Sequence, residues 1–221
     1  MKIIYKILLW ILILFVGSTV LAVAVYRFVP VKYTPLMFIR AASPKGNEKQ
    51  QARERNWEHD WVSIDEMSQW MPRAVIASED GRFYQHHGFD TIEIERAIEE
   101  NKQGKRQRGA STISQQTAKN VFLWPAHSWV RKGLEAYFTV LIECMWPKER
   151  ILEVYLNSIE MGAGIYGIEA AALHYFGKPA SALTKRECAL IAVSLPDPIR
   201  RDPANPSSYL NRRASKISRY M

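Results

Sequence analysis

Cysteine is scarce: Cys144 and Cys188 are the only two in 221 residues. That excludes a disulfide-stapled scaffold, and no Cys/His set falls at metal-ligand spacing. Each cysteine sits in an apolar helical pattern, so two buried free thiols are expected rather than a bridge. Strand signals are few and no internal repeat is present, which removes β-rich and solenoid architectures. No nucleic-acid module is visible, because the basic residues are not interleaved with a repeated aromatic motif. Negative charge is also in short supply. Lys and Arg number 30 against 22 Asp and Glu, a formal net charge of +8. The surplus points to an anionic partner such as a membrane surface or a phosphorylated substrate.

What is present begins with an apolar run. Residues 7–25 are apolar or small without interruption, and Ile3 and Ile4 extend the run toward the ~20 residues that span a bilayer. Lys2 and Lys6 precede it and Arg27 follows, so the short N-terminal flank reads as cytoplasmic and the rest as exported. A cleaved signal peptide is the alternative, since Ala22, Val23 and Ala24 resemble a cleavage site. The run is longer than the 7–15 residues of a usual signal core, which favours a retained anchor. Residues 1–28 are therefore assigned to the anchor. Residues 29–56 form a juxtamembrane segment and linker, 57–200 a catalytic domain, and 201–221 a basic C-terminal helix.

Residues 29–39 are apolar and broken by prolines, which fits either the membrane interface or the domain core. Residues 43–55 are polar and charged and read as an exposed linker. Ser63 and Glu66 have capping-box spacing, so a short helix is expected to run to Trp70. Helical patterns follow over 72–77 and 91–101, and a basic, glycine-punctuated loop over 102–109. Thr112 and Gln115 again have capping-box spacing and start another helix. Free N–H groups at that start favour an anion or a hydroxyl-rich ligand. Ser111, Thr112, Ser114, Gln115 and Gln116 are denser in polar atoms than capping alone requires. Further helices are expected over 129–145, 148–157, 168–176 and 184–193. Gly162, Gly164 and Gly167 make a tight loop between the second and third of these. The tail from Ser207 carries Arg212, Arg213, Lys216 and Arg219 and reads as a helix, either solvated or lying on anionic lipid.

Glu79 and Asp80 stand out chemically. They close the helix that passes through Pro72, where the dipole disfavours negative charge by about 0.3–1 kcal/mol each. Apolar Ile76 and Phe83 flank them. A carboxylate so placed should titrate above its usual range, which suits a general base. The competing reading is a pair of surface acids at a frayed helix end. Arg131, Lys132 and Glu135 lie on one side of the next long helix. They form either a surface ion pair worth about 0.3–0.5 kcal/mol or a phosphate clamp beside a carboxylate.

Several separated motifs together resemble the peptidoglycan glycosyltransferases, the domain also found at the N-terminal side of bifunctional penicillin-binding proteins. Glu79, Asp80, Phe83, His86, Gly88 and Asp90 match the first motif. Gly109, Ser111, Thr112, Ile113, Gln115, Gln116, Lys119 and Asn120 match the second, and Arg131, Lys132 and Glu135 the third. Lys148, Tyr155, Asn157, Gly162, Gly164 and Gly167 belong to the fourth, and Glu187, Leu190 and Pro196 to the fifth. With no transpeptidase domain following, the chain looks like a monofunctional member. Ala110 replaces a common glycine. His127 stands four residues before Arg131, where family members often carry an arginine, and a neutral imidazole holds a diphosphate less firmly.

The resemblance implies a mainly α, lysozyme-like, two-lobed glycosyltransferase domain behind a single N-terminal transmembrane helix. It implies polymerisation of lipid II into glycan strands, with inversion and departure of undecaprenyl diphosphate. Glu79 and Glu135 would be catalytic, with Glu79 the base that takes a proton from the acceptor 4-hydroxyl. Ser111, Gln115, Gln116, Lys119, Arg131, Lys132 and Asn157 would bind substrate. No cofactor is required, although Glu135 could hold a divalent metal such as Mg or Mn against the diphosphate. Partners would be lipid II, the nascent glycan strand, the membrane and other cell-wall synthesis proteins, with no nucleic acid. The location would be the bacterial inner membrane, single-pass, with the catalytic domain on the periplasmic side. Two alternatives stay open. A lytic, lysozyme-like enzyme would also centre on one glutamate, but cleavage of a neutral bond has no use for the cation set. A non-enzymatic scaffold would bind anionic polymer through its basic face, indifferent to Glu79 or Glu135.

Overall fold

The computed structural model describes residues 2–104, 109–126 and 128–221. His127 and the centre of the basic loop, 105–108, lie outside the described residues. Helix α1, Lys2–Tyr26, carries the apolar run with a mean hydropathy of 2.7 over its most apolar window, 6% of which is buried. At about 1.5 Å per residue it is long enough to cross a bilayer. Its far end is not loose. Val23 is buried, and its carbonyl accepts the Trp146 indole N–H at 2.8 Å. Arg150 donates to the carbonyls of Tyr26 and Val29. These are the carbonyls a helix end leaves without partners, and a cation suits that end. Higher up, Thr19 and Tyr137 share a hydrogen bond of 2.7 Å.

The segment after α1 divides between the two readings open for it. Val31, Leu36 and Met37 are buried, the last two in a small cluster with Tyr166 and Trp57. Phe28, Tyr33 and Phe38 stay exposed. Helix α2, Pro35–Ala42, starts with its proline in the first turn. The expected linker is a helix instead: α3, Glu48–Arg55, which Asn47 and Gln50 open with a reciprocal capping box. Glu54 is wholly buried, and α3 packs on α2. The backbone of α3 also fixes a glycine. Gly164 has φ +69, and a Cβ there would stand 2.4 Å from the Arg53 carbonyl oxygen.

Three very short strands make one sheet in the order β1–β3–β2. Strand β1 is Glu58–His59, β2 is Glu160–Gly162 and β3 is Ile165–Tyr166. β1 runs parallel to β3, pairing Glu58 with Ile165, and β2 runs antiparallel with a register shift between Glu160 and Gly162. The expected glycine loop is therefore a hairpin too short to show alternation.

The remaining helices are α4 (Trp70–Glu79), α5 (Thr91–Lys102), α6 (Ile113–Phe122), α7 (Trp129–Met145), α8 (Lys148–Ser158), α9 (Ile168–Phe176), α10 (Lys185–Ser194) and α11 (Ser208–Ile217). The Ser63 capping box opens only a 3-10 turn, Ile64–Glu66. Two sets pack tightly. α6 lies between α7 and α8, and α10 lies between α4 and α11. One apolar cluster joins both, with Met71, Phe83, Ile113, Ile142, Ile151 and Tyr155 at most 0% exposed. The arrangement is the mainly α, two-lobed one expected. The C-terminal helix divides between its two readings. Leu210, Ala214 and Ile217, one helical stripe, are buried against α10, so that face is unavailable to lipid while Arg212, Arg213, Lys216 and Arg219 stay exposed. Of the two free thiols, Cys188 is buried and Cys144 is exposed.

Candidate active site

Two adjacent acids at a helix end receive different duties. Asp80 leaves the helix with φ −154, so Glu79 is the last residue of α4. The Asp80 carboxylate is buried and accepts the Ile113 backbone N–H at 2.9 Å, at the N-terminus of α6. The anion expected at that helix start is thus supplied from within the chain. Asp80 also accepts from His86 Nε2 at 2.9 Å. Because His86 Nδ1 accepts the Gly88 N–H, the ring proton sits on Nε2. Thr112 then donates to the Gly88 carbonyl at 2.6 Å. Asp80, His86 and Asp90 lie close enough to suggest a metal cage. Asp80 and His86 are already committed to each other and to backbone N–H groups, while Asp90 caps α5 through one oxygen and its Oδ2 stands 3.0 Å from the Arg82 guanidinium without a hydrogen bond. The cluster bolts α4 to α6.

Glu79 is left to face a cleft of about 200 Å³ whose walls include Ser78, Arg82, Ser111 and Thr112. Gln116 donates to its Oε2 at 3.2 Å and accepts from the Tyr155 hydroxyl at 3.3 Å. Burial raises the Glu79 carboxyl above the usual carboxylate range, against the pull of Gln116, Arg213, Ser78 and Arg201. The expected direction is present, and its main cause is desolvation.

A larger cleft, about 560 Å³, has Gln116 in its wall. Lys119 and Arg131 line it together with Arg40, Lys45 and Glu160, and Leu36, Ile39 and Trp124 add apolar wall. Glu135 sits behind, 3% exposed, with one oxygen on Arg131 at 2.6 Å and the other on Lys132. Arg131 also donates to the Ala126 carbonyl, and Ser128 caps α7 through Arg131 N–H. Among the described residues the Lys119 ammonium has no hydrogen-bond or ion-pair partner. Desolvation lowers its pKa, Glu135 opposes, and Arg131 and Lys132 lower it further.

The structure therefore sorts the expected site residues. Glu79 and Ser111 line one cleft, Lys119 and Arg131 the other, and Gln116 lines the second while its amide reaches Glu79. Lys132 and Glu135 stand behind the second. Two residues belong to neither. Gln115 is buried, and its side chain accepts the Thr112 N–H as the reciprocal half of the cap. Asn157 is fully buried; its amide donates to the carbonyls of Val62 and Glu153 and its oxygen accepts the Val62 N–H at 3.0 Å. With every polar atom engaged, Asn157 has nothing to offer a sugar. Asn157→Ala should cost about 2–4 kcal/mol of stability by orphaning both Val62 groups, visible as a lower melting temperature. The Michaelis constant of the folded fraction should not change. Sequence reading missed Arg40 and Glu160 in the larger cleft and Arg201 and Arg213 near Glu79. All four are brought in from distant segments, and no local pattern marks them.

Comparison with known proteins places these features in context. Residues 45–221 match the transglycosylase family. A biosynthetic peptidoglycan transglycosylase of Bacteroides thetaiotaomicron is 59% identical over 210 residues, covering 95% of this chain and 83% of the relative. One from Caulobacter vibrioides is 48% identical over 218 residues, covering 99% and 91%. One from Bdellovibrio bacteriovorus is 51% identical over 205 residues, covering 93% and 80%.

Proposed function

The chain belongs to the transglycosylase family, and from that premise we propose that it is a peptidoglycan glycosyltransferase polymerising lipid II into glycan strands. The observation that carries this reading is the pairing of a desolvated Glu79 with a cation-lined cleft through the single side chain of Gln116. Glu79 takes the proton from the acceptor sugar's 4-hydroxyl. That oxygen forms the new bond to the anomeric carbon of the growing chain, with inversion, and the bond to undecaprenyl diphosphate breaks. Such a leaving group needs neutralisation more than a proton. One base and a set of cations is the inventory for that chemistry, unlike the two carboxylates of a retaining glycosidase. Gln116 holds the Glu79 carboxylate in place. Lys119 and Arg131 receive the diphosphate, and Glu135 keeps Arg131 and Lys132 oriented.

A divalent metal does not fit Glu135 as a ligand. Both of its oxygens already carry cations, and a metal there would have to displace one of them. Positive charge on the leaving group is supplied by side chains, and Mg or Mn, where present, is better matched to the diphosphate's own oxygens.

The apolar α1 is the coarse feature behind the membrane assignment. We place it as a retained single span of the bacterial inner membrane with the domain on the periplasmic side. Retention is supported by Val23, at the middle of the Ala22, Val23, Ala24 sequence, being buried and bonded to Trp146. Lipid II and the nascent strand are the partners, and other wall-building proteins would join there. The deciding experiment is incubation of the detergent-solubilised chain with lipid II. Glycan polymer is the expected product. Release of muropeptides from purified sacculi, without polymer, would overturn the proposal in favour of a lytic enzyme.

A further inference from the structure

We propose that Arg40, on the helix that follows the anchor, is a further phosphate-binding residue of the larger cleft, and that Glu160 is the positioning residue holding its guanidinium. This rests on reading that cleft as the diphosphate site. Arg40 lies in the last turn of α2 and lines the cleft with Lys119 and Arg131. Its Nη2 donates to Glu160 Oε2 at 3.1 Å, with the two side chains 17% and 10% exposed. Among the described residues its Nε is buried without a partner, and so is Glu160 Oε1. Such an orphaned donor is costly to bury. A purely structural α2–β2 link would satisfy both groups with a two-point pair.

The guanidinium is a planar fork that matches two oxygens of a phosphate. Glu160 holds Nη2, on the edge that Nη2 shares with Nε, and fixes the plane, which leaves Nη1 for an incoming oxygen. Charge agrees with this. Among the described residues Arg40, Lys45, Lys119 and Arg131 line the cleft with one carboxylate, that of Glu160, a surplus suited to a diphosphate. Apolar Leu36 and Ile39 precede Arg40 on the same helix and line the same cleft. The segment leaving the anchor thus offers a polyprenyl chain an apolar wall and its diphosphate a cation.

The test uses the full chain in detergent with two probes, inorganic pyrophosphate by calorimetry and lipid II by polymerisation kinetics. Arg40→Ala should weaken pyrophosphate binding about ten-fold or more and raise the Michaelis constant for lipid II by a similar factor, with a smaller change in kcat. Arg40→Lys keeps the charge without the fork and should recover part of the loss. Glu160→Gln should raise the Michaelis constant at an unchanged melting temperature. Wild-type pyrophosphate affinity and Michaelis constant in folded Arg40→Ala would overturn the assignment. So would a wild-type protein that does not bind pyrophosphate. Should Arg40→Ala not fold, wild-type values in both Arg40→Lys and Glu160→Gln overturn it. Pyrophosphate binding that depends on Arg40 without any polymer would sink the polymerase reading and leave Arg40 as a phosphate ligand. Polymer formation indifferent to Arg40 does the reverse.

Discussion

Glu79→Gln should reduce polymer formation from lipid II by about 10²–10⁴-fold, the contribution of a positioned general base, and should not destabilise the fold. The two halves have one cause. Burial raises the Glu79 carboxyl, so the folded state disfavours the charged form. Below the unfolded value both states hold the proton and nothing is lost. As pH rises through the folded value, the folded chain must carry a desolvated carboxylate, and stability falls. A glutamine escapes that cost and can still accept from Gln116. The variant should therefore melt at the wild-type temperature or above it at neutral pH, and the difference should vanish in acid. Wild-type activity should show an acid limb with a midpoint above the ordinary 4.5 of a glutamate. Loss of activity together with a clear loss of stability would show that Glu79 is structural.

Lys119→Ala should lower kcat/KM by about 10²–10³-fold, the order expected for one charge placed where a leaving group develops its own. Stability should hold, because Lys119 is an exposed residue whose ammonium has no partner among the described residues and stands among the like charges of Arg131 and Lys132. Its pKa lies below the usual 10.5, so it surrenders its proton sooner than a surface lysine as pH rises. The alkaline limb of the rate profile should follow that loss. Lys119→Arg should keep much of the activity and shift the limb upward. An Ala variant with wild-type kcat/KM would remove Lys119 from the diphosphate site.

Much of this was legible along the chain, and the failures have definite causes. Helix α7 begins and ends where Ser128 and Pro147 predict, and α6 starts at the Thr112 cap. Those signals are local and survive folding. Helix α3 was hidden because EKQQARER has no apolar stripe; the Asn47 cap and the burial of Glu54 hold it instead. Strands of two or three residues cannot display a period of two. In the site, motif order located the residues without telling which way they turn. Gln115 and Gln116 are neighbours about 100° apart on a helix; one closes the cap and the other reaches Glu79. Of the crowded polar group at α6, Ser114 is held by Glu143, which Lys148 pairs at 2.8 Å, and only Ser111 is exposed. Glu79 and Asp80 looked equally strained in sequence. One became the anion of a helix start, and the other kept its discomfort.

The carbonyls at the end of α1 are gripped by Trp146 and Arg150, and Thr19 meets Tyr137 a little over a turn further in. A catalytic body fastened in this way cannot swivel on a leash. As the retained span proposed above, α1 takes whatever tilt matches its apolar length to the bilayer, and it is fastened to the body from Thr19 onward. The body must lean with it, carrying both clefts toward or away from the headgroups. Acyl-chain length in a reconstituted vesicle thereby becomes a dial on how deeply the enzyme's mouth sits, and turnover should respond to it with no residue changed.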